Sequence, residues 1–116
     1  NDFLEIMLAI ENQTLGKINL KINPDHFSNV VLASKGYPEK YEKGFEITGL
    51  NNVEDSIIFQ AGTSLTGNKT TTNGGRVLSI VSRDKTFQRA LKKSYNNIEK
   101  INFEGKTFRK DIGFDL

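Results

Sequence analysis

The chain contains no cysteine and no tryptophan, and only two prolines, one methionine and one histidine in 116 residues. Without cysteine it has neither a disulfide framework nor a thiolate metal site, which agrees with a cytoplasmic setting. The lone histidine, His26, would have to carry a Ser-His-Asp triad or an imidazole metal centre with no partner at a telling spacing. It reads instead as a surface or strand-edge residue. Neither sign of charge dominates: 16 Lys and Arg stand against 14 Asp and Glu, a net of +2. That imbalance is too small to argue for nucleic acid or a membrane surface as a partner. No apolar run approaches the roughly 18–20 residues that a membrane-spanning helix needs. The length fits one domain with a modest core.

The apolar residues that are present fall into short periodic segments. Phe3, Ile6, Met7 and Ile10 recur at helical spacing with Leu4 and Leu8 beside them. This predicts an amphipathic helix over residues 2–12, capped by Asn1 or Asp2 and ended with help from Gly16. So wide an apolar stripe opening the chain points to a segment of a longer protein. Ile18, Leu20 and Ile22 alternate with Lys17, Asn19 and Lys21, the period of a half-buried strand, which Pro24-Asp25 then breaks. Further strands are expected over 27–34, 45–48, 56–60 and 76–82, with Gly67-Asn68 as the two-residue turn of a hairpin. A second helix is expected over 85–101, with Phe87, Leu91, Tyr95 and Ile98 on its apolar face. The tail from Phe103 to Gly113 reads as a turn and a last short strand. About six short strands with two flanking helices, in no regular alternation, favour one α+β domain on an antiparallel or barrel-like sheet.

The segment with most chemistry is Thr70-Thr71-Thr72-Asn73-Gly74-Gly75-Arg76-Val77-Leu78. Paired glycines let a backbone take positive φ or come close to another group, and Asn-Gly predicts a reversal there. The guanidinium that follows is a fork of donors suited to phosphate or carboxylate. If the turn folds back, Lys69 and Arg76 converge on one anion. The competing reading is a solvated hairpin with two exposed cations. Gly62 to Thr70 nearly matches a P-loop, but its β-branched run and Asn-Gly-Gly cannot open the helix that motif requires. Arg109-Lys110-Asp111 reads as an internally paired surface cluster. Arg89, Lys92, Lys93 and Lys100 read as a solvated helix face, without the interleaved aromatics of a nucleic-acid surface.

Taken in order, six blocks resemble the C-terminal region of the phosphoribosylamine–glycine ligase family, the glycinamide ribonucleotide synthetases of the ATP-grasp superfamily. They are Val30-Val31-Leu32-Ala33-Ser34-Lys35-Gly36-Tyr37-Pro38, Tyr41-Glu42-Lys43-Gly44, Glu46-Ile47-Thr48-Gly49-Leu50, Phe59-Gln60-Ala61-Gly62-Thr63, Thr72-Asn73-Gly74-Gly75-Arg76-Val77-Leu78, and Phe103-Glu104-Gly105 with Phe108-Arg109-Lys110-Asp111-Ile112-Gly113. The resemblance implies a small β-rich barrel-sandwich domain (the rudimentary hybrid motif) over residues 25–116. Residues 1–24 would lead out of an ATP-grasp domain. It further implies a cytoplasmic parent ligase of purine biosynthesis that joins glycine to 5-phosphoribosylamine, with ATP and Mg2+ or Mn2+ bound outside this segment. The family's Arg-Phe-Gly-Asp-Pro-Glu metal-binding signature is absent here, so the segment alone is expected to be inactive and to bind no cofactor.

By that likeness Arg76 is expected to bind the ribose phosphate, with Lys69 assisting and the backbone of Asn73, Gly74 and Gly75 lining the approach. The partners implied are the other ligase domains, phosphoribosylamine and glycine, and neither nucleic acid nor membrane. Two other readings stand beside it. One is an independent anion-binding module; the other is a swinging-arm carrier modified at Lys69, which lacks the methionines usual around such a lysine.

Overall fold

The computed structural model describes residues 1–115. Helix α1 spans Phe3–Glu11, and the Asp2 carboxylate accepts the Leu4 N–H at 2.8 Å, satisfying one of the free donors of the first turn. Its end is made not by Gly16 but by Gln13, which takes φ +56°. The Gln13 N–H then bonds the Ile10 carbonyl and the Thr14 N–H bonds the Ala9 carbonyl, the pair of bonds that closes a helix through a left-handed residue. Only Ala9 of this helix is buried, while Phe3, Leu4, Met7, Leu8 and Ile10 are exposed.

The strand expected over 17–22 does not form. Leu15–Lys17 is a short 3-10 turn, and the residues from Ile18 to Pro24 join no ladder among the described residues. Alternation makes a strand only where a sheet edge receives it. None does here, and Ile22 remains 89% exposed.

Six strands form among the described residues: β1 His26–Ser34, β2 Ser56–Gln60, β3 Thr63–Thr66, β4 Lys69–Thr72, β5 Arg76–Asp84 and β6 Lys106–Thr107. They make an antiparallel sheet in the order β2-β5-β1-β6 and a separate β3-β4 hairpin, not a closed barrel. The hairpin turns at Gly67-Asn68 as its sequence predicts, with Gly67 at φ +61°. Residues 45–48 are not a full strand. They make single ladder pairs, Glu46 with Thr71 and Thr48 with Asn102, so they lash the hairpin to the rest.

Helix α2, Phe87–Lys100, starts at Thr86, whose hydroxyl accepts the Arg89 N–H, and covers one face of β1 and β5. Val30 and Leu32 of β1, Val77, Leu78 and Ile80 of β5, and Ile98 of α2 form the core with Ile47, Ile101 and Phe103. The buried line of α2 is Ala90, Ser94, Asn97 and Ile98, with Leu91 and Tyr95 on its flank. It is rotated from the expected apolar stripe because a polar seam lies beneath it. Ser94 bonds both Ser28 and Ser82 at 2.8 Å, Ser82 bonds Ser56 at 2.7 Å, and Asn97 reaches Ser56 at 2.8 Å. Small hydroxyls that satisfy one another let the helix sit close to the sheet at little desolvation cost. The opposite face of the sheet is uncovered, presenting Phe27, Ile57 and Phe59 and, at one end, Arg76.

Candidate functional site

Arg76 reaches that open face through a break in the ladder. In a regular strand Arg76 and Leu78 would point the same way, toward α2. The register shifts between Leu32 and Ala33, so that Leu32 pairs with Leu78 and Ala33 with Arg76, leaving Val77 as an extra residue. Such a bulge re-aims the side chains beyond it. Val77 and Leu78 are both fully buried, and Arg76 emerges exposed beside Ala33 on the side away from α2.

The glycines before it serve close approach, not reversal. Neither Gly74 nor Gly75 has positive φ, and the segment is a bend that carries the chain from the small hairpin to the main sheet. A Cβ on Gly62 would come within 2.6 Å of both the Gly74 Cα and the Arg76 carbonyl oxygen, so two backbones cross there with no room for side chains. The Gly62 N–H donates to the Arg76 carbonyl at 2.8 Å and the Asn73 N–H to the Gly62 carbonyl at 2.7 Å. A methyl group on Gly75 would run into the Tyr37 ring. On the far side, the Ser34 N–H and hydroxyl donate to the carbonyls of Gly75 and Gly74 at 2.8 and 2.9 Å. Backbone ties on both sides therefore hold the base of Arg76.

Tyr37 and Arg76 together border two adjoining hollows. One of about 520 Å³ extends over Gly75, Ser79 and Asn29. The other, of about 340 Å³, extends over Ala33 and Phe108 to Arg109. Among the described residues Arg76 has no carboxylate partner, since seven ion pairs involve other cations. Arg109 is paired: its Nε and Nη2 donate to the two oxygens of Asp111, each at 2.9 Å. The Asp111 contact raises the Arg109 pKa, and the guanidinium in turn holds the Asp111 carboxyl below its ordinary range.

Lys69 is not brought to Arg76. It stands at the start of β4, donates to Glu46 at 2.7 Å, and borders a separate hollow with Thr48, Asn52 and Asn68. The Asn73 side chain is exposed, and Gly75 is buried under Tyr37. A larger hollow, about 730 Å³, lies elsewhere, between Lys35, Lys40, Glu42 and Glu104. Two cations there face two carboxylates, so it offers an anion no net attraction. His26 is exposed at the start of β1, opposite Asp84, as a strand-edge residue. Sequence reasoning did not place Tyr37 in the site. Its neighbours Gly36 and Pro38 mark a turn and carry no sign that the ring folds back over Gly75.

The chain matches the family model for phosphoribosylglycinamide synthetase, C domain, over residues 27–115. It is 48% identical over 116 residues to the bifunctional purine biosynthetic protein purD of Dictyostelium discoideum, covering 97% of this chain and 14% of that protein. It is 44% identical over 111 residues to the phosphoribosylamine–glycine ligase of Caldanaerobacter subterraneus subsp. tengcongensis, covering 96% of this chain and 27% of the relative. A crystal structure of phosphoribosylamine–glycine ligase from Thermotoga maritima superposes with a TM-score of 0.67 at 46% identity, over 73% of this chain and 21% of that one. The chain thus spans between about a seventh and about a quarter of the length of these curated relatives. On this evidence the chain belongs to the phosphoribosylglycinamide synthetase C-domain family.

Proposed function

We propose that the chain is the C-terminal domain of a carbon–nitrogen ligase that joins glycine to 5-phosphoribosylamine at the expense of ATP, in purine biosynthesis. Within it, this domain forms one wall of the substrate cleft and holds the ribose phosphate. The observation that carries the wall's assignment is Arg76, swung by the bulge onto the open sheet face and left without a carboxylate partner among the described residues. A guanidinium so placed offers a phosphate two parallel donors and a full charge. The backbone of Asn73, Gly74 and Gly75 keeps that base rigid. Lys69, engaged with Glu46 at another hollow, stands outside the proposed contact.

Among the described residues no three His, Asp or Glu side chains stand together to hold a metal ion. In the proposal the nucleotide and its Mg2+ or Mn2+ are bound by the other ligase domains, where they would supply activation of the glycine carboxylate. What this chain supplies is position. A substrate fixed at its phosphate presents its amine in one place, and orientation of that kind contributes several kcal/mol to a bimolecular step. No helix among the described residues is long and apolar enough to cross a membrane, and the proposed setting is the cytoplasm.

The test is ADP formation by the complete polypeptide that carries this chain. Release that requires both glycine and 5-phosphoribosylamine is expected. ATP hydrolysis indifferent to either compound would overturn the reading.

A further inference from the structure

Strand β2 leaves one edge of the main sheet without a partner. It pairs only with β5, Ile57 opposite Val81 and Phe59 opposite Ser79. Backbone bonds between antiparallel strands fall on alternate residues. The Ala61 N–H bonds the Val77 carbonyl at 3.0 Å, so Ile57 and Phe59, in phase with Ala61, turn their N–H and C=O groups toward β5. Ser56, Ile58 and Gln60 turn theirs outward. Among the described residues nothing bonds these outward groups. Folded chains usually blunt such an edge with lysine, proline, a bulge or brevity. The opposite edge, β6, is two residues long, and the β3-β4 hairpin carries Lys69. Ser56-Ile57-Ile58-Phe59-Gln60 has none of these guards.

The edge is complementary to itself. We infer that it pairs with β2 of a second copy of this chain, antiparallel about a two-fold axis through Ile58. Two four-stranded sheets then become one continuous sheet. In that register Ile58 meets its own counterpart and Ser56 meets the second copy's Gln60, so every outward N–H and C=O of both strands gains a partner. Ile57 stands opposite the second copy's Phe59 at a position without hydrogen bonds, where side chains approach most closely. The axis repeats that pair, so side chains now 58% (Ile57) and 54% (Phe59) exposed cover one another. Charge agrees with the pairing. The five residues are neutral, and Asp55 and Glu54 fall opposite Ala61 and Gly62 of the second copy, so no like charges meet. An unrelated strand would have to bring its own apolar pair and neutral ends, whereas a second β2 supplies both by symmetry. The axis is normal to the sheet, which keeps both α2 helices on one face, and each lies mainly over β1 and β5, clear of the edge.

The test is sedimentation equilibrium of the complete polypeptide that carries this chain, from about 1 to about 200 μM, the range suited to a small interface. The weight-average mass is expected to rise with concentration toward twice the monomer's. Ile57→Lys and Phe59→Glu are each expected to weaken association roughly tenfold or more, because the axis spoils two cross-strand pairs at once. Both side chains are more than half exposed, so each variant is expected to keep the parent's thermal unfolding midpoint. A chain carrying both substitutions sets the ammonium of one copy against the carboxylate of the other. It should regain association at low salt and lose it at high salt. A monomer at every concentration would overturn the proposal, and slow hydrogen exchange at the Ile58 N–H of that monomer would show that a strand from elsewhere in the same polypeptide covers the edge. Dimers indifferent to all three variants would overturn it too, because their interface lies elsewhere.

Discussion

The contact between Gly75 and Tyr37 makes the sharpest prediction about how the site is built. Gly75 is buried, its carbonyl holds the Ser34 N–H at 2.8 Å, and the Tyr37 ring lies where its side chain would be. In Gly75→Ala the new methyl group and the ring cannot both keep their places, and the backbone is tied. The ring must swing out, breaking its edge-on contact with Tyr41 at 6.2 Å. Overpacking of this kind costs about 1–3 kcal/mol. Tyr37→Ala removes the obstacle, and because Tyr37 is 42% exposed its own loss is modest. In that background Gly75→Ala should cost nothing, or stabilise by about 0.4–1 kcal/mol through the unfolded chain, since its φ is not in the left-handed region. Urea unfolding of the four proteins closes a double-mutant cycle, with an expected coupling of about 1–3 kcal/mol. Equal costs in both backgrounds would show that the ring does not rest on the glycine, and the description of the site's wall would fail.

Three further outcomes follow from the same contacts. Gly62→Ala sets a methyl group against backbone, 2.6 Å from the Arg76 carbonyl oxygen, and should destabilise by about 3 kcal/mol or more; removing Tyr37 should not rescue it. Asn97→Ala deletes three hydrogen bonds, to Ser56 and to both backbone groups of Glu54. It should cost about 3 kcal/mol in urea unfolding, at roughly 1 kcal/mol each, and a loss below about 1 kcal/mol would mean the seam is dispensable. The third concerns acid. The Asp25 carboxyl is held below its ordinary range chiefly by the Lys85 ammonium, and Asp84 chiefly by the Lys85 backbone N–H, with Lys93 and Arg89 adding to it. Carboxyls with depressed folded-state pKa bind fewer protons folded than unfolded. Their stabilisation is therefore complete above the unfolded value and lost as pH falls below about 4. Thermal unfolding midpoints should drop across that window, and Asp84→Asn should shallow the drop. A slope unchanged by Asp84→Asn would refute the assignment.

Local chemistry made much of this fold readable. The Gly67-Asn68 turn, β2 over Ser56–Gln60 and the α2 span depend on neighbours a few residues away, and each appears where its pattern places it. What was not readable depends on partners distant in sequence. The alternation of Ile18, Leu20 and Ile22 describes a strand only if an edge is offered. The bulge at Val77 arises from the pairing with Ala33, more than forty residues away in the chain, and nothing in Arg76-Val77-Leu78 announces it. Two consecutive apolar residues after an arginine are the only trace. Arg76 was therefore identifiable as a candidate by its chemistry, whereas its facing and its separation from Lys69 needed the sheet. The α2 stripe shifted for a related reason, since Ser94 and Asn97 are buried by hydrogen bonds that hydrophobic periodicity does not count.

The most direct measurement is the steady-state kinetics of the complete polypeptide that carries this chain, with Arg76→Ala introduced and each proposed substrate varied in turn. The expected result is a rise in KM for 5-phosphoribosylamine corresponding to about 2–4 kcal/mol, with KM for glycine and for ATP unchanged. An unaltered KM for 5-phosphoribosylamine, or an equal loss toward all three substrates, would contradict the account.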